Sequence, residues 1–206
     1  MSIAAIVLAA GRGTRFGDGP KMLASLDDKP LVRHAVEAAL AGGLDPVLVV
    51  LGHRGEEIRD ALSGLAVRIV WNPDYADGLS TSLRAGFAAL PRESDAAVIL
   101  LGDMPRITPA LIGQLTARWR DVGRPSAVVP TFAGTRGNPA LLSRALAPEI
   151  ALLEGDAGAG ALLRRRRDVV EMALDDPAVT DDVDTADALA RLRPGQASTT
   201  PCRIAE

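Results

Sequence analysis

An aspartate at the end of an apolar run has the type and position that phosphate chemistry needs. Asp103 follows the apolar residues 96–101 and Gly102. It is therefore expected at the tip of a buried strand, where a carboxylate can enter a crevice. Proteins hold magnesium with one or two carboxylates and phosphate oxygens, so Asp103 is predicted to be a metal ligand. A capping aspartate is the alternative, but Thr108 followed by Pro109 makes the better helix start.

A second carboxylate is available in the acidic stretch DDVDT, residues 181–185, which precedes a helical pattern. Because Val183 lies between two aspartates, the stretch is predicted to be extended, with alternate side chains facing opposite ways. In this interpretation Asp184 is the second metal ligand and Asp182 faces away. Capping of the following helix by Asp184 or Thr185 is the alternative.

A glycine-rich loop with a lysine follows the first apolar run. The stretch LAAGRGTRFGDGPKML, residues 8–23, brings backbone N–H groups and cations to the end of a predicted strand, an arrangement typical of phosphate binding. The spacing of its glycines and lysine does not match a P-loop. It does not match a dinucleotide-binding fingerprint either, because Phe16 stands where that motif has a small residue. Only two of the 23 basic residues are lysines, Lys21 and Lys29. The ammonium kept in this loop is predicted to have a role that an arginine does not fill.

Three further loops carry residues suited to a nucleotide or an anion. Ser80 and Ser82 begin a helical pattern in GLSTSL, where hydroxyls and free N–H groups suit a base, a ribose or a phosphate. Arg136 in RGNP is a candidate for gripping an anionic substrate, and GDAGAGALL, residues 155–163, is another glycine-rich helix start. Capping by Ser80, and plain loops at the other two positions, are the alternatives.

Together these residues indicate phosphoryl chemistry without a protein nucleophile. The chain has two histidines and one cysteine, and no Ser/His/Asp or Cys/His pattern, which disfavours covalent acyl or thiol chemistry. Catalysis would consist of positioning and charge neutralisation. A net charge of −3 and a pI of about 5.5 argue against a nucleic acid partner. No apolar run is long enough to span a membrane and no secretory segment is recognised, so a cytoplasmic protein is expected.

Alternating apolar runs and helical patterns must position these loops. Strands are predicted at residues 3–9, 47–51, 67–71, 96–101 and 127–129, and helices at residues 31–40, 54–62, 80–90 and 109–120. Strands and helices that take turns predict βαβ units and a mostly parallel sheet covered on both faces. After Pro130, short strands at 139–142 and 169–173 around a helix at 159–165 predict an antiparallel or mixed addition, followed by a last helix at 185–192. One domain over residues 1–193 and a flexible tail over 194–206 are expected.

The ordered set of motifs resembles the MobA-like NTP transferases. LAAGRGTRFG followed by PK, then NPDYADGLSTSL, LLGDMP, RGNP, GDAGAGALL and DVDT occur in this order across residues 3–193. Each motif alone is weak, whereas the ordered set is specific. The resemblance is strongest to the molybdenum cofactor cytidylyltransferases. It implies an α/β, Rossmann-like three-layer sandwich with a mixed, mostly parallel sheet, and Mg²⁺-dependent transfer of CMP from CTP to molybdopterin.

The matching positions imply a role for individual residues. Arg15 and Lys21 would neutralise the triphosphate, and Asp103 and Asp184 would hold magnesium. The nucleotide would also be bound by residues of the first loop and of later loops: Leu8, Ala9, Ala10, Gly11, Arg12, Gly13, Gly52, Asn72, Ser80 and Ser82. The acceptor would be bound by Arg136, Gly137, Asn138, Asp156 and Gly158. A transient contact with a molybdoenzyme or its insertion chaperone is also implied, with neither a nucleic acid nor a membrane as partner.

The first loop also bears on the choice of base. In this family LAAG accompanies cytidine and LAGG guanosine, so residues 8–11 favour CTP, and the methyl group of Ala10 would narrow the space for a purine. Three residues depart from the family pattern: Phe16 replaces a usual methionine, Asn138 replaces the histidine of RGHP, and Gly160 replaces an arginine. The last two lie on the acceptor side and weaken the assignment of molybdopterin.

Several alternatives stay open at this point. One is a nucleotidyltransferase with GTP as donor or another phosphorylated acceptor, such as a sugar phosphate. Another is a non-catalytic nucleotide-binding accessory protein of molybdoenzyme maturation, which would not need both carboxylates. The third is an oxidoreductase with a dinucleotide in the glycine loop, which Phe16 disfavours.

Overall fold

The strands follow the predicted apolar runs. The computed structural model describes residues 2–17 and 19–193, so the tail expected at 194–206 lies outside the described residues. The strands are β1 (Ser2–Ala9), β2 (Ser25–Leu26), β3 (Lys29–Pro30), β4 (Val47–Leu51), β5 (Arg68–Trp71), β6 (Ser94–Leu101), β7 (Ala127–Phe132), β8 (Thr135–Arg136), β9 (Ala140–Ser143) and β10 (Val169–Ala173). The α-helices are α1 (Leu31–Ala41), α2 (Gly55–Ala61), α3 (Leu79–Ala88), α4 (Pro109–Asp121), α5 (Ala147–Ile150), α6 (Ala159–Leu163) and α7 (Ala186–Leu192).

The main sheet is mixed and mostly parallel, as predicted. Its order is β10-β7-β9-β6-β1-β4-β5, with β8 paired to β7. Strand β1 runs parallel to β4 and β6, and β7 runs parallel to β10, whereas β9 is antiparallel to both β6 and β7. The short strands predicted at 139–142 and 169–173 are β9 and β10. Because β9 is antiparallel to its neighbours and β10 is parallel to β7, the addition expected after Pro130 is a mixed one. Because β1, β4, β6 and β7 point the same way, the loops that follow them meet at one edge of the sheet.

Helices cover both faces of this sheet because its central strands are apolar on both faces. Along β1, Val7 and Ala9 face a core shared with α1, α2 and α4, and Ile6 and Leu8 face a core shared with α3, α5 and α6. Burial of each large aliphatic side chain contributes about 1.5–3 kcal/mol to stability. The result is the expected three-layer sandwich. No helix within the described ranges is long and apolar enough to cross a membrane.

The structure corrects three local predictions. Strand β7 does not stop at Val129 but continues through Pro130, whose carbonyl accepts a hydrogen bond from the Gly137 N–H (2.8 Å). The helix predicted to reach residue 165 ends at Leu163, where the Arg136 Nη1 donates to the last carbonyl (3.2 Å). The helix α5, the strand β8 and the β2–β3 hairpin were missed, because elements of two to four residues are too short to show a period.

Candidate active site

A cavity of about 450 Å³ opens at the edge where the parallel strands end, a size suited to a small-molecule ligand. Its lining includes most of the residues predicted to bind the nucleotide or the metal: Leu8, Ala10, Gly11, Arg12, Gly13, Arg15, Lys21, Ser82, Asp103 and Asp184. Ala9, Gly52, Asn72 and Ser80 do not line it, and Ala9 packs in the core on the other face of the sheet. The sequence analysis missed Thr14, Met22, Tyr75, Leu79 and Asp182, which do line it.

Lys21 lies between the two predicted metal ligands. Its Nζ is 2.5 Å from Asp103 Oδ2 and 2.7 Å from Asp184 Oδ1, and its side chain is only 8% exposed. The more exposed Arg15 places Nη2 at 2.8 Å from Asp184 Oδ2. Three distant segments of the chain thus bring two cations and two carboxylates to one end of the cavity.

Gly13 explains how the first loop folds over this lysine. Its φ of +60° is in the left-handed region, and a Cβ there would lie 2.8 Å from Lys21 Cβ. Burial by itself lowers the pKa of Lys21. The charges of Asp103 and Asp184 and the hydrogen bonds to them outweigh burial, so the pKa lies above its ordinary value and the side chain stays a cation.

Asp182 joins the two predicted ligands, so the prediction that it faces away was wrong. Carboxylate oxygens of Asp103, Asp182 and Asp184 all lie within 4.8 Å of one another. Residues two apart in an extended segment share a face, and Val183 is the residue that turns away, into the core (1% exposed). The Val183 N–H donates to the Asp103 carbonyl (3.0 Å) and ties this segment to the end of β6.

Helix capping was the alternative role for Asp103 and Asp184, but threonines cap the two helices that follow them. Thr108 Oγ1 accepts from the Leu111 N–H (3.2 Å) at the start of α4. Thr185 Oγ1 accepts from the Ala188 N–H (3.1 Å) at the start of α7. Neither Asp103 nor Asp184 is needed as a cap, so both are available for a ligand.

The three carboxylates fit a divalent cation. Asp103 Oδ1 is buried and has no hydrogen-bond partner among the described residues, which is costly unless a cation or a donor meets it. Burial, followed by the charges of Asp184 and Asp103, raises the pKa of Asp182 above its ordinary value. The hydrogen bond from Lys21 lowers the pKa of Asp184. Three carboxylates face only two cations of the described chain, Lys21 and Arg15, and their hard oxygen donors suit Mg²⁺ or Mn²⁺.

Tyr75 forms a wall of the cavity that the sequence analysis missed. Its ring packs against Gly52, where a Cβ would lie 2.6 Å from the tyrosine side chain. The Arg12 guanidinium lies over the ring at 5.8 Å, a cation–π contact. The His53 N–H donates to the Ala10 carbonyl (3.1 Å) and holds the first loop beside this wall. The available signal was that the chain's only tyrosine follows a predicted strand in NPDYADGLSTSL.

The polar residues before α3 mainly hold their own loop. Asn72 is buried, and its Nδ2 donates to Thr81 Oγ1 (2.9 Å) and Ser82 Oγ (3.0 Å). This orients Ser82, which lines the cavity. Ser80 is fully buried, its N–H donates to the Gly155 carbonyl (3.0 Å), and its Oγ has no partner in the part of the chain that the structure describes. Ser80 is therefore neither the helix cap nor a cavity residue in this structure.

The predicted acceptor residues surround a second cavity of about 200 Å³. Arg136, Gly137, Asn138 and Gly158 line it, whereas Asp156 lines the first cavity. The two cavities share Leu8, Leu79 and Leu101 as a common wall. Arg136 Nε lies 2.8 Å from Glu171 Oε1, so the guanidinium predicted to grip an anion is already paired.

Replacing Asp182 tests whether the third carboxylate belongs to the metal site. We expect Asp182→Asn to weaken Mn²⁺ binding by about 10-fold or more, the size of change typical when a group that supports a metal site is removed. Titration calorimetry with Mn²⁺ measures this. Asp181→Asn is the matched control, because its carboxylate pairs with Arg106 (3.2 Å) and lies outside the cluster. Equal affinities in the two variants would remove Asp182 from the site.

Comparison with known proteins decides the family. Residues 5–170 match the MobA-like NTP transferase domain. The chain belongs to this family. The resemblance of the ordered motifs is thereby confirmed, and this MobA-like protein is a nucleotidyltransferase of the type that also includes GlmU. The matched region ends before the acidic stretch that supplies Asp182 and Asp184.

Relatives of this MobA-like protein carry varied names. Nicotine blue oxidoreductase from Paenarthrobacter nicotinovorans is 32% identical over 196 residues, which are 92% of this chain and 96% of that protein. The structure of Rv0371c from Mycobacterium tuberculosis H37Rv in complex with manganese has a TM-score of 0.74 and 32% identity, covering 93% and 98% of the two chains. A nucleotidyl transferase from Methanothermobacter thermautotroptrophicus has a TM-score of 0.80 and 26% identity, covering 93% and 96%. The chain spans about a quarter of the bifunctional GlmU proteins it also matches.

Proposed function

We propose that this MobA-like protein transfers CMP from CTP to molybdopterin with Mg²⁺ as its metal. The observation that carries the proposal is Lys21, buried between Asp103 and Asp184 at 2.5 and 2.7 Å at one end of a nucleotide-sized cavity. A fixed cation among carboxylates suits a triphosphate that arrives with a divalent metal. The LAAG motif supports cytidine as the base, and the ordered motifs support molybdopterin as the acceptor.

In the proposed reaction an oxygen of the acceptor's phosphate attacks the α-phosphorus of CTP. The bond from that phosphorus to the bridging oxygen breaks, and pyrophosphate leaves with the electron pair. Asp103, Asp182 and Asp184 would hold Mg²⁺, which supplies positive charge to the phosphate oxygens when bound. Lys21 and Arg15 donate hydrogen bonds to the triphosphate and stabilise the negative charge that develops on the leaving group.

Incubation with each NTP, Mg²⁺ and molybdopterin tests the proposal. Pyrophosphate release and the mass of the cytosine dinucleotide product are expected with CTP. Product from GTP would reassign the base, and turnover only with another phosphorylated compound would reassign the acceptor. Binding of CTP without any turnover would favour a non-catalytic accessory protein.

An oxidoreductase is the second candidate, because nicotine blue oxidoreductase matches nearly the whole chain. The site argues for phosphoryl transfer, since its polar end is a carboxylate and lysine cluster rather than a dinucleotide fingerprint. The same preparation can be assayed for oxidation of NADH or NADPH with nicotine blue as the acceptor. Turnover in this assay that survives Asp103→Ala, together with no pyrophosphate release from any NTP, would favour the oxidoreductase.

Replacing Ala10 with glycine tests whether the first loop selects the base. The residue lines the first cavity with only 2% of its surface exposed. We expect the wild-type protein to prefer CTP strongly and Ala10→Gly to raise the relative use of GTP, because the missing methyl enlarges the space beside the loop. The shift should be partial, since one methyl group is worth about 1–3 kcal/mol of discrimination. The measurement is kcat/KM for both nucleotides in both proteins, and an unchanged ratio would show that this loop does not select the base.

A further inference from the structure

The second cavity is a narrow apolar slot that reaches into the core beside the nucleotide cavity. Its walls include Leu83, Ile99, Val129, Ala140 and Leu163, each no more than 5% exposed. All of them belong to the core between the sheet and helices α3, α5 and α6. The slot is therefore lined mainly by that core, and Leu8, Leu79 and Leu101 form a wall that it shares with the first cavity.

The described polar groups that line this slot leave no unpaired charged side chain for a ligand. Among the described residues that line it, Arg136 is the only charged one, and it is engaged by Glu171 (2.8 Å) and by the Leu163 carbonyl (3.2 Å). Asn138 is bound through its backbone, its N–H donating to the Val179 carbonyl (2.7 Å). Its side-chain amide, which can both donate and accept, makes no hydrogen bond to the described residues.

We infer that this slot binds an uncharged, flat ring system of the acceptor, while the acceptor's phosphate stays in the first cavity. The inference rests on the proposed nucleotidyl transfer. A volume of about 200 Å³ is enough for one ring or a small fused pair, since a dry apolar cavity of about 150 Å³ accommodates benzene. The hydroxyl groups of a sugar would lose their water there without gaining partners. Aryl phosphates belong to the favoured class. The fused pterin ring system of molybdopterin also carries amide and amino groups, for which the Asn138 side chain is the available partner in the slot.

Leu79 and Gly160 define how the ring enters. Leu79 is 40% exposed and stands between the two cavities, close enough to Gly158 that a Cβ there would lie 2.9 Å from its Cδ2. Gly160, on α6, lines the slot, and no atom lies within 4 Å of the position of a Cβ. An arginine at this position would place a charge at the slot, whereas glycine leaves the entrance uncharged and open.

Binding of indole, an uncharged fused ring, tests the slot without any nucleotide. Titration followed by NMR should give a dissociation constant of about millimolar or tighter for so small a ligand. Gly160→Leu should weaken binding by at least about tenfold, because the new side chain occupies the entrance. Gly113→Leu is the matched control, since Gly113 also lies in a helix with nothing within 4 Å of a Cβ but lines neither cavity. Absent binding, or equal binding to wild type and Gly160→Leu, would overturn the inference.

A comparison of two acceptors, one with an aromatic ring and one with a sugar, is the second test of the slot. With CTP and Mg²⁺, phenyl phosphate should be used with a kcat/KM at least about tenfold above that of glucose 1-phosphate, because only its ring gains from the apolar slot. In each case a phosphate oxygen bonds to the α-phosphorus and pyrophosphate is released. Equal use of both would overturn the inference. Absence of pyrophosphate release with every acceptor would instead count against the proposed function, and indole binding would still decide the chemistry of the slot.

Discussion

Asp103→Ala is expected to abolish nucleotidyl transfer while the fold survives. The carboxylate lies two residues after the end of strand β6 and contacts Lys21 at 2.5 Å. Its second oxygen has no hydrogen-bond partner within the described part of the chain, so it can meet a cation. Removal of one group that stabilises charge in a transition state lowers turnover by about 10²–10³-fold, and loss of the metal would add to that. Pyrophosphate release measures the activity, and circular dichroism measures the fold.

Asp95→Ala is the matched control for this change. Asp95 lies near the start of β6, at the end remote from the cavity, so its removal should leave pyrophosphate release near the wild-type level. Turnover of Asp103→Ala equal to that of Asp95→Ala would exclude Asp103 from the mechanism. Weak Mn²⁺ binding by Asp103→Ala alone is the second expected result, and it does not depend on knowing the acceptor.

Lys21→Arg is expected to lower kcat/KM for CTP by about 10–150-fold, although it keeps the charge. A charge-assisted hydrogen bond is worth roughly 1.5–3 kcal/mol, which corresponds to that range. The side chain is 8% exposed, and Gly13 packs on its stem, where a Cβ would lie 2.8 Å from Lys21 Cβ. This space admits a slender ammonium chain, whereas a planar guanidinium would displace the loop or the carboxylates.

Lys29→Arg is the matched control for Lys21→Arg, because Lys29 is the other lysine of the chain. It is half exposed and pairs with Glu37 at 2.8 Å on the surface, where an arginine can form the same pair. Initial rates at subsaturating CTP should be unchanged in Lys29→Arg and strongly reduced in Lys21→Arg. Wild-type rates in both variants would show that the buried position of Lys21 has no bearing on nucleotide binding.

The order of elements was predictable because long buried strands and their helices have clear patterns. Continuous apolar runs such as Val47–Leu51 indicate strands covered on both faces, and the structure places that strand at the predicted residues. Boundaries were less predictable where tertiary contacts decide them. Pro130 continues a strand because its carbonyl has a partner in Gly137, a contact that the local sequence does not indicate.

The site was predictable as a set of residue types, but not as a set of contacts. Asp103, Lys21 and Asp184 were expected together because each lies at a strand end or in a glycine-rich or acidic loop. Asp182 was misplaced although the two-residue period of an extended segment puts it on the same face as Asp184. The pairing of Arg136 with Glu171 was not foreseeable, since it joins side chains on different strands far apart in the chain.

The hydrogen bond from Val183 to Asp103 bears on the order in which the molecule is assembled. Every described strand of the sheet precedes residue 174, whereas two of the three clustered carboxylates come after it. During synthesis the sheet can form before those carboxylates emerge, so the ion site is completed last. Val183 and Leu189 then pack on Leu26 and Leu31, close to the first loop. An ion held by all three carboxylates would join the segment after β6 to the acidic stretch at residues 181–185. Amide hydrogens of residues 181–192 should therefore exchange more slowly when the ion is bound.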